Sequence, residues 1–89
     1  MQVKITKIIN AEKLKAYATA CFDDNFLITG IRVIDSKNGM FVAMPSRRKK
    51  SGEFTDVCFP VTREMRERIS KEVLEAYANE ISKFEENIK

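Results

Sequence analysis

The sequence predicts an α+β fold in which a small antiparallel sheet of about five strands is followed by a C-terminal helix or two helices. Residues 14–23 alternate strictly between apolar or small residues and more polar ones, which is typical of a half-buried strand. An Asn-Gly pair at 38–39 separates two apolar runs, which favours a tight hairpin. From Thr62 onward, apolar residues recur every three or four positions, as on one face of a helix. Strands that precede a helical segment favour an antiparallel sheet.

The length of 89 residues predicts one domain, with the sheet in residues 1–60 and the helical part in 62–89. Hydrophobic residues make up 44% and charged residues 33% of the chain, the balance of a folded protein. A domain of this size buries a limited share of its surface, so we expect help from a second subunit. No segment resembles a signal peptide or a membrane span, which predicts a cytoplasmic protein without a membrane partner.

The predicted strands differ in whether one or both of their faces are apolar. The first spans 3–9, and the second places its small residues on one face, where a helix can approach closely: Leu14, Ala16, Ala18, Ala20 and Phe22. The third, 26–35, is apolar on both sides, with Leu27, Ile31 and Val33 opposed to Phe26, Ile28 and Ile34. Both faces of such a strand must be shielded from water. One helix can cover one face, so we expect the other face to be covered by another subunit or by curling of the sheet. A strand at 40–45, a polar loop at 46–53 and a last strand at 54–59 complete this part.

The helical part begins at Thr62, a predicted N-cap, with Glu64 in the first turn. Its apolar positions change phase near residues 73 and 74, which indicates a bend or two helices, with Asn79 as the candidate break. The stripe consists of Met65, Ile69, Val73, Leu74, Tyr77, Ile81, Phe84 and Ile88.

The residues that most enzymes need are missing. There is no histidine, the commonest general base and transition-metal ligand, and the three glycines are too scattered for a phosphate-binding loop. Asp23 and Asp24 are interpreted as turn formers, and Cys21 and Cys58 as free thiols. We therefore expect no catalysis, no cofactor and no metal site.

The main candidate for binding is a run of four cations, Arg47, Arg48, Lys49 and Lys50. Such closely spaced charges repel one another, and phosphates relieve that repulsion. The alternative is a solvated hairpin tip. Arg63 and Arg66 at the start of the helix could flank the run, because helix N-termini also attract phosphate. The competing interpretation of this region is surface ion pairing, of Arg63 with Glu67 and of Glu64 with Arg68.

Aromatic residues could instead form a stacking platform for bases. Phe41, Phe54 and Phe59 have strand-like spacing, but core packing is the more frequent role of such residues. The sequence therefore does not predict a platform of this kind.

The segments G-I-R-V-I-D, N-G and F-V-A-M-P-S-R-R between Gly30 and Arg48, followed by G-E-F-T-D from Gly52, resemble the signature of the SpoVG (stage V sporulation protein G) family. The resemblance extends from residue 3 to about residue 77. It departs from the family at Phe59, where histidine is usual, and at Lys49 and Lys50, which make the loop more basic.

The resemblance implies a bacterial cytoplasmic homodimer linked to sporulation, septation and gene regulation, with members that bind DNA or RNA site-selectively. It implies a small antiparallel sheet followed by a C-terminal helix. The favoured interpretation is thus a homodimeric nucleic-acid-binding regulator that contacts phosphates through residues 47–50, flanked by Arg63 and Arg66. The alternative is a protein-interaction module that docks division or regulatory proteins through the helix stripe from Leu74 to Ile88.

Overall fold

The computed structural model describes residues 1–88, with side chains described for residues 1–83. It confirms the α+β class, with strands followed by one helix. The elements are β1 (Gln2–Ile8), β2 (Leu14–Phe22), β3 (Phe26–Ser36), β4 (Gly39–Ala43), β5 (Ser46–Arg48), β6 (Phe54–Asp56) and α1 (Arg63–Ile88).

The strands form two sheets where the sequence predicts one of about five strands. The first four strands make an antiparallel meander in the order β1-β2-β3-β4, and β5 pairs with β6 in a separate hairpin. The break falls at Met44 and Pro45, since proline cannot donate to a ladder and ends β4. This break separates the basic segment from the strand ladder of the larger sheet.

The core lies between α1 and one face of the four-stranded sheet. The predicted alanine face of β2 is confirmed, because Ala16, Ala18 and Ala20 are completely buried. Their small side chains let the helix lie close to the sheet, where the remaining buried residues are Ile31, Val33, Met44, Ile69 and Val73. The opposite face of the sheet contributes no side chain to this buried cluster.

Strand β3 does not alternate as its sequence suggests. Ile28 packs against the core together with Ile31 and Val33, whereas Leu27 is 56% exposed, so the predicted faces of residues 27 and 28 were wrong. The reason is a β-bulge. Ala18 pairs with Ile31 but Ala20 pairs with Ile28, which leaves an extra residue on β3 beside Gly30, whose φ is +81°.

The predicted hairpin between β3 and β4 is confirmed, but its turn differs. The pairing of Ser36 with Gly39 makes Lys37 and Asn38 the central residues. Only Gly39 of the Asn-Gly pair has positive φ, at +109°. The glycine alone therefore supplies the left-handed conformation of this turn.

Helix α1 begins as the sequence predicts, because the Met65 amide donates to Thr62 Oγ1 at 3.2 Å. It continues as one helix to Ile88, so the predicted break at Asn79 was wrong. The phase change of the apolar stripe is the ordinary drift of a period of 3.6 residues. Phe84 and Ile88 belong to this stripe, but their side chains lie outside the described residues. Within residues 1–88, α1 lacks the apolar length that a membrane crossing requires.

Candidate nucleic-acid interface

The basic run lies on the β5–β6 hairpin, which corrects the predicted loop at 46–53. Arg47 pairs with Thr55 and Arg48 with Phe54, so both arginines belong to a strand. Lys49 and Lys50 form the turn. The Lys49 amide donates to the Glu53 carbonyl at 2.7 Å, and the Gly52 amide donates to the Lys49 carbonyl at 2.9 Å. Its polar and charged composition hid this short strand, which is defined by its pairing and not by apolar alternation.

Strand geometry separates the two arginines. Successive side chains of a strand point to opposite faces, so Arg47 and Arg48 lie on different sides of the hairpin. Arg48 shares its side with Ser46 and with Phe54, its cross-strand partner. The two arginines therefore do not belong to one flat patch.

All four cations of the run are exposed. Within the described part of the chain, none of them forms an ion pair, although Glu53 and Asp56 are near in sequence. Their charges are therefore available to an external anion.

The helix cations differ from the hairpin cations. Arg63 Nε donates to Glu67 Oε1 at 2.9 Å, as the surface-pair interpretation predicts, but Arg68 pairs with Glu72 at 3.1 Å and not with Glu64. Arg66 is exposed, and no ion pair of it occurs among the described residues. Arg66 is consequently the better candidate of the two predicted flanking residues, and no described contact joins either arginine to the hairpin.

Arg32 holds the base of the hairpin against the sheet, a role that the sequence analysis missed. Its Nη2 donates to the Met44 carbonyl and to Ser46 Oγ, both at 3.0 Å. The Val57 amide also donates to the Pro45 carbonyl at 2.7 Å and closes the hairpin. In the sequence, the only indication of this role is that Arg32 is a single cation in an otherwise apolar stretch of β3.

The phenylalanines assigned to core packing are exposed instead. Phe41 is 46%, Phe59 61% and Phe54 70% exposed, so the core interpretation was wrong for these residues. Local spacing could not reveal this, because burial depends on which face α1 covers. Cys21 and Cys58 are free thiols, as predicted.

The helix stripe offers less docking surface than the alternative interpretation requires. Leu74 and Tyr77 pack against the core of the same chain, and Ile81 is half-buried. The remaining stripe residues, Phe84 and Ile88, have side chains outside the described region. The described part of the stripe is therefore mainly a core surface.

The family model described as SpoVG matches residues 1–79. A protein of Clostridium botulinum named "Putative septation protein SpoVG" is 44% identical over 79 residues, covering 89% of this chain and 87% of the relative. Relatives of the same name are 42% identical in Caldicellulosiruptor saccharolyticus, covering 90% of this chain and 91% of the relative, and 41% identical in Treponema denticola, covering 85% and 82%.

Proposed function

Because the chain belongs to the SpoVG family, we propose that it is a nucleic-acid-binding regulator that acts as a homodimer in the cytoplasm. The observation that carries this proposal is the exposed β5–β6 hairpin, with cations at residues 47–50 and no ion pair to any of them among the described residues. The name of the relatives connects the proposed regulation with septation.

The hairpin suits phosphates because its charges are exposed while its backbone is held in place. Hydrogen bonds at the tip and at the base fix the strand pairing, so binding does not have to order this segment. Nucleic-acid phosphates then displace counterions, which is the main source of affinity for a basic surface.

The cations have different proposed roles. Arg47 and Arg48 can bond bidentately to guanine edges, because the guanidinium is a planar fork. Lys49 and Lys50 add affinity through phosphates. Arg66 flanks them as a further phosphate contact, and Arg63 contributes after release from Glu67, a weak exposed pair.

The open edge of β3 supports the proposed homodimer. Strand β4 pairs with residues 32–36 of β3, so residues 26–30 have no partner on that side. Beside them lies an apolar groove of about 270 Å³, lined by Phe26, Leu27, Ile28, Thr29, Pro45, Val57 and Cys58. Edge pairing between two copies would satisfy these backbone groups and cover apolar surface.

The test replaces residues 47–50 with alanine in the full chain and measures binding to random DNA and RNA pools against salt. The wild type should lose about a thousandfold in duplex affinity between 50 and 200 mM salt if six phosphates are contacted. The quadruple variant should bind much more weakly with a flatter salt slope, while Lys71→Ala on α1 serves as the control.

Smaller changes separate the roles of the cations. The double change of Lys49 and Lys50 to alanine should weaken binding to all nucleic-acid sequences equally. Arg47→Ala or Arg48→Ala should weaken binding and also relax sequence specificity.

Unchanged affinity and salt slope in a folded quadruple variant would show that the hairpin is a solvated tip. Absence of any binding by the wild type at low salt would reject the nucleic-acid proposal itself. A protein-interaction module would instead capture its partner with little dependence on salt.

A further inference from the structure

The face of the four-stranded sheet that points away from α1 carries a distinct set of side chains. These residues either alternate with the core residues or, where a bulge interrupts the alternation, pair across the sheet with a residue that does, so they lie on the opposite side of the sheet. We call this surface the outer face, and it includes Lys4, Lys7, Lys15, Tyr17, Thr19, Arg32, Ile34 and Phe41.

The outer face is cationic. It carries Lys4, Lys7, Lys15 and Arg32, and no Asp or Glu occupies an outer-face position of the four strands, all of which are described. The helix on the other side has five Lys and Arg against seven Asp and Glu, a formal charge of −2, whereas residues 1–62 have ten against six, a charge of +4. An approaching anion is therefore attracted to the outer face and the hairpin, and not to the helix.

An aromatic ring lies among these cations. Tyr17 is paired across the sheet with Lys7 on one side and with Arg32 on the other. Phe41 pairs with Ile34 on the same face and is 46% exposed. A partly exposed ring between cations, as at Tyr17, is the combination that binds unstacked bases, because a base stacks on the ring while phosphates meet the charges.

The outer face continues into the hairpin through Arg32. This guanidinium donates to Ser46 Oγ, and Ser46 shares its side of the hairpin with Arg48. Phe54 lies opposite Arg48 and is 70% exposed. The surface from Tyr17 to Phe54 therefore carries an aromatic ring at each end, with the cations Arg32 and Arg48 between them.

From this arrangement we infer that the outer face binds single-stranded nucleic acid, with bases stacked on Tyr17 and Phe41 and the strand leading to the hairpin. The inference rests on the proposed nucleic-acid binding and names the ligand class that this surface selects. A duplex keeps its bases stacked inside and cannot use the rings. A second copy would place the same cations against each other, so face-to-face self-association is disfavoured.

Tyrosine fluorescence tests this inference directly, because the chain has two tyrosines and no tryptophan. Tyr77 packs against the core, and its hydroxyl has no hydrogen bond among the described residues, so Tyr77→Phe should be tolerated and leaves Tyr17 as the reporter. Titration with an oligothymidylate of about twelve nucleotides should quench this emission, since base stacking contacts the ring. A duplex of the same length should bind with much less quenching.

Affinity provides the second readout. The double variant Tyr17→Leu and Phe41→Leu should bind the single strand at least about tenfold more weakly, because stacking contributes strongly per base. Its duplex affinity should change by less than about twofold. Phe59→Leu is the matched control for an exposed aromatic residue outside the outer face. Thermal unfolding checks that each variant folds.

Unquenched Tyr17 emission at saturation, together with unchanged single-strand affinity in the double variant, would overturn this inference while leaving hairpin binding intact. Emission that responds to phosphatidylglycerol vesicles but not to the oligonucleotide would also overturn it, in favour of an anionic lipid surface. Absence of any nucleic-acid binding by the wild type would instead reject the proposed nucleic-acid-binding function.

Discussion

At the scale of single residues, packing of the helix on one face of the sheet changes the pKa of Tyr77. Tyr77 lies on α1 and packs against the core, and its pKa is raised above the ordinary value of 10.0 by burial and, to a smaller extent, by the charge of Asp35. Asp35 is itself exposed. Tyr77 thus reports on the contact between the helix and the sheet.

The raised pKa of Tyr77 predicts a loss of stability in alkali. The unfolded chain releases the phenolic proton near pH 10, whereas the folded chain retains it to higher pH, so the stabilisation is complete below about pH 10 and is lost as pH rises through the folded pKa. Absorbance titration of Tyr17→Phe, in which Tyr77 is the remaining tyrosine, should show the raised midpoint. Asp35→Asn should lower this midpoint slightly, and an ordinary midpoint for Tyr77 would contradict the prediction.

At the level of secondary-structure elements, irregular backbone decides which side chains share a face. The bulge beside Gly30 brings Ile28 to the core side and leaves Leu27 exposed. A Cβ at Gly30 would lie 3.7 Å from Pro45 Cβ, an ordinary contact, so space does not prevent substitution. The φ of +81° does oppose it, because L residues rarely adopt this conformation.

Gly30→Ala should therefore destabilise the fold by about 1–2 kcal/mol through backbone strain and not through a clash. Gly30→Asn should lose less stability than Gly30→Ala, since asparagine tolerates left-handed conformations better than alanine does. Urea unfolding measures both, with Thr29→Ala as the neighbouring control. Equal stability of Gly30→Ala and the wild type would mean that the bulge relaxes without strain.

At the scale of the whole molecule, charge and exposed apolar surface are both distributed unevenly. The cations are concentrated on the outer face and the hairpin, and the open edge of β3 with its apolar groove lies beside the hairpin base. A monomer would leave Phe26 and Leu27 exposed at this edge, at 65% and 56%. Dimerisation would protect the edge and bring two basic hairpins into one assembly.

We therefore expect sedimentation to show a dimer at micromolar concentration. Thr29→Pro should weaken it, because proline removes a backbone donor from the open segment of β3. Its folding is checked by circular dichroism, and Thr29→Ala is the matched control. Sedimentation of the wild type as monomer alone at these concentrations would refute the proposed homodimer.

The sequence by itself determined the elements whose signals are local. Alternation identified β2 and its alanine face, and a hydroxyl before a periodic apolar stripe located the start of α1 at Thr62. The motifs between Gly30 and Arg48 also predicted the family correctly. The four consecutive cations marked a candidate binding segment, whose contact with nucleic acid stays a prediction.

The tertiary structure decided everything that depends on pairing and on which face is covered. Cross-strand pairing placed Arg47 and Arg48 in a strand and on opposite sides of a hairpin. Phe41 and Phe54 are exposed because α1 does not cover them. The folding of the β5–β6 hairpin beside the sheet brought Arg32 into contact with residues twelve to fourteen positions along the chain. These relations join residues distant in sequence, so local periodicity carries no record of them.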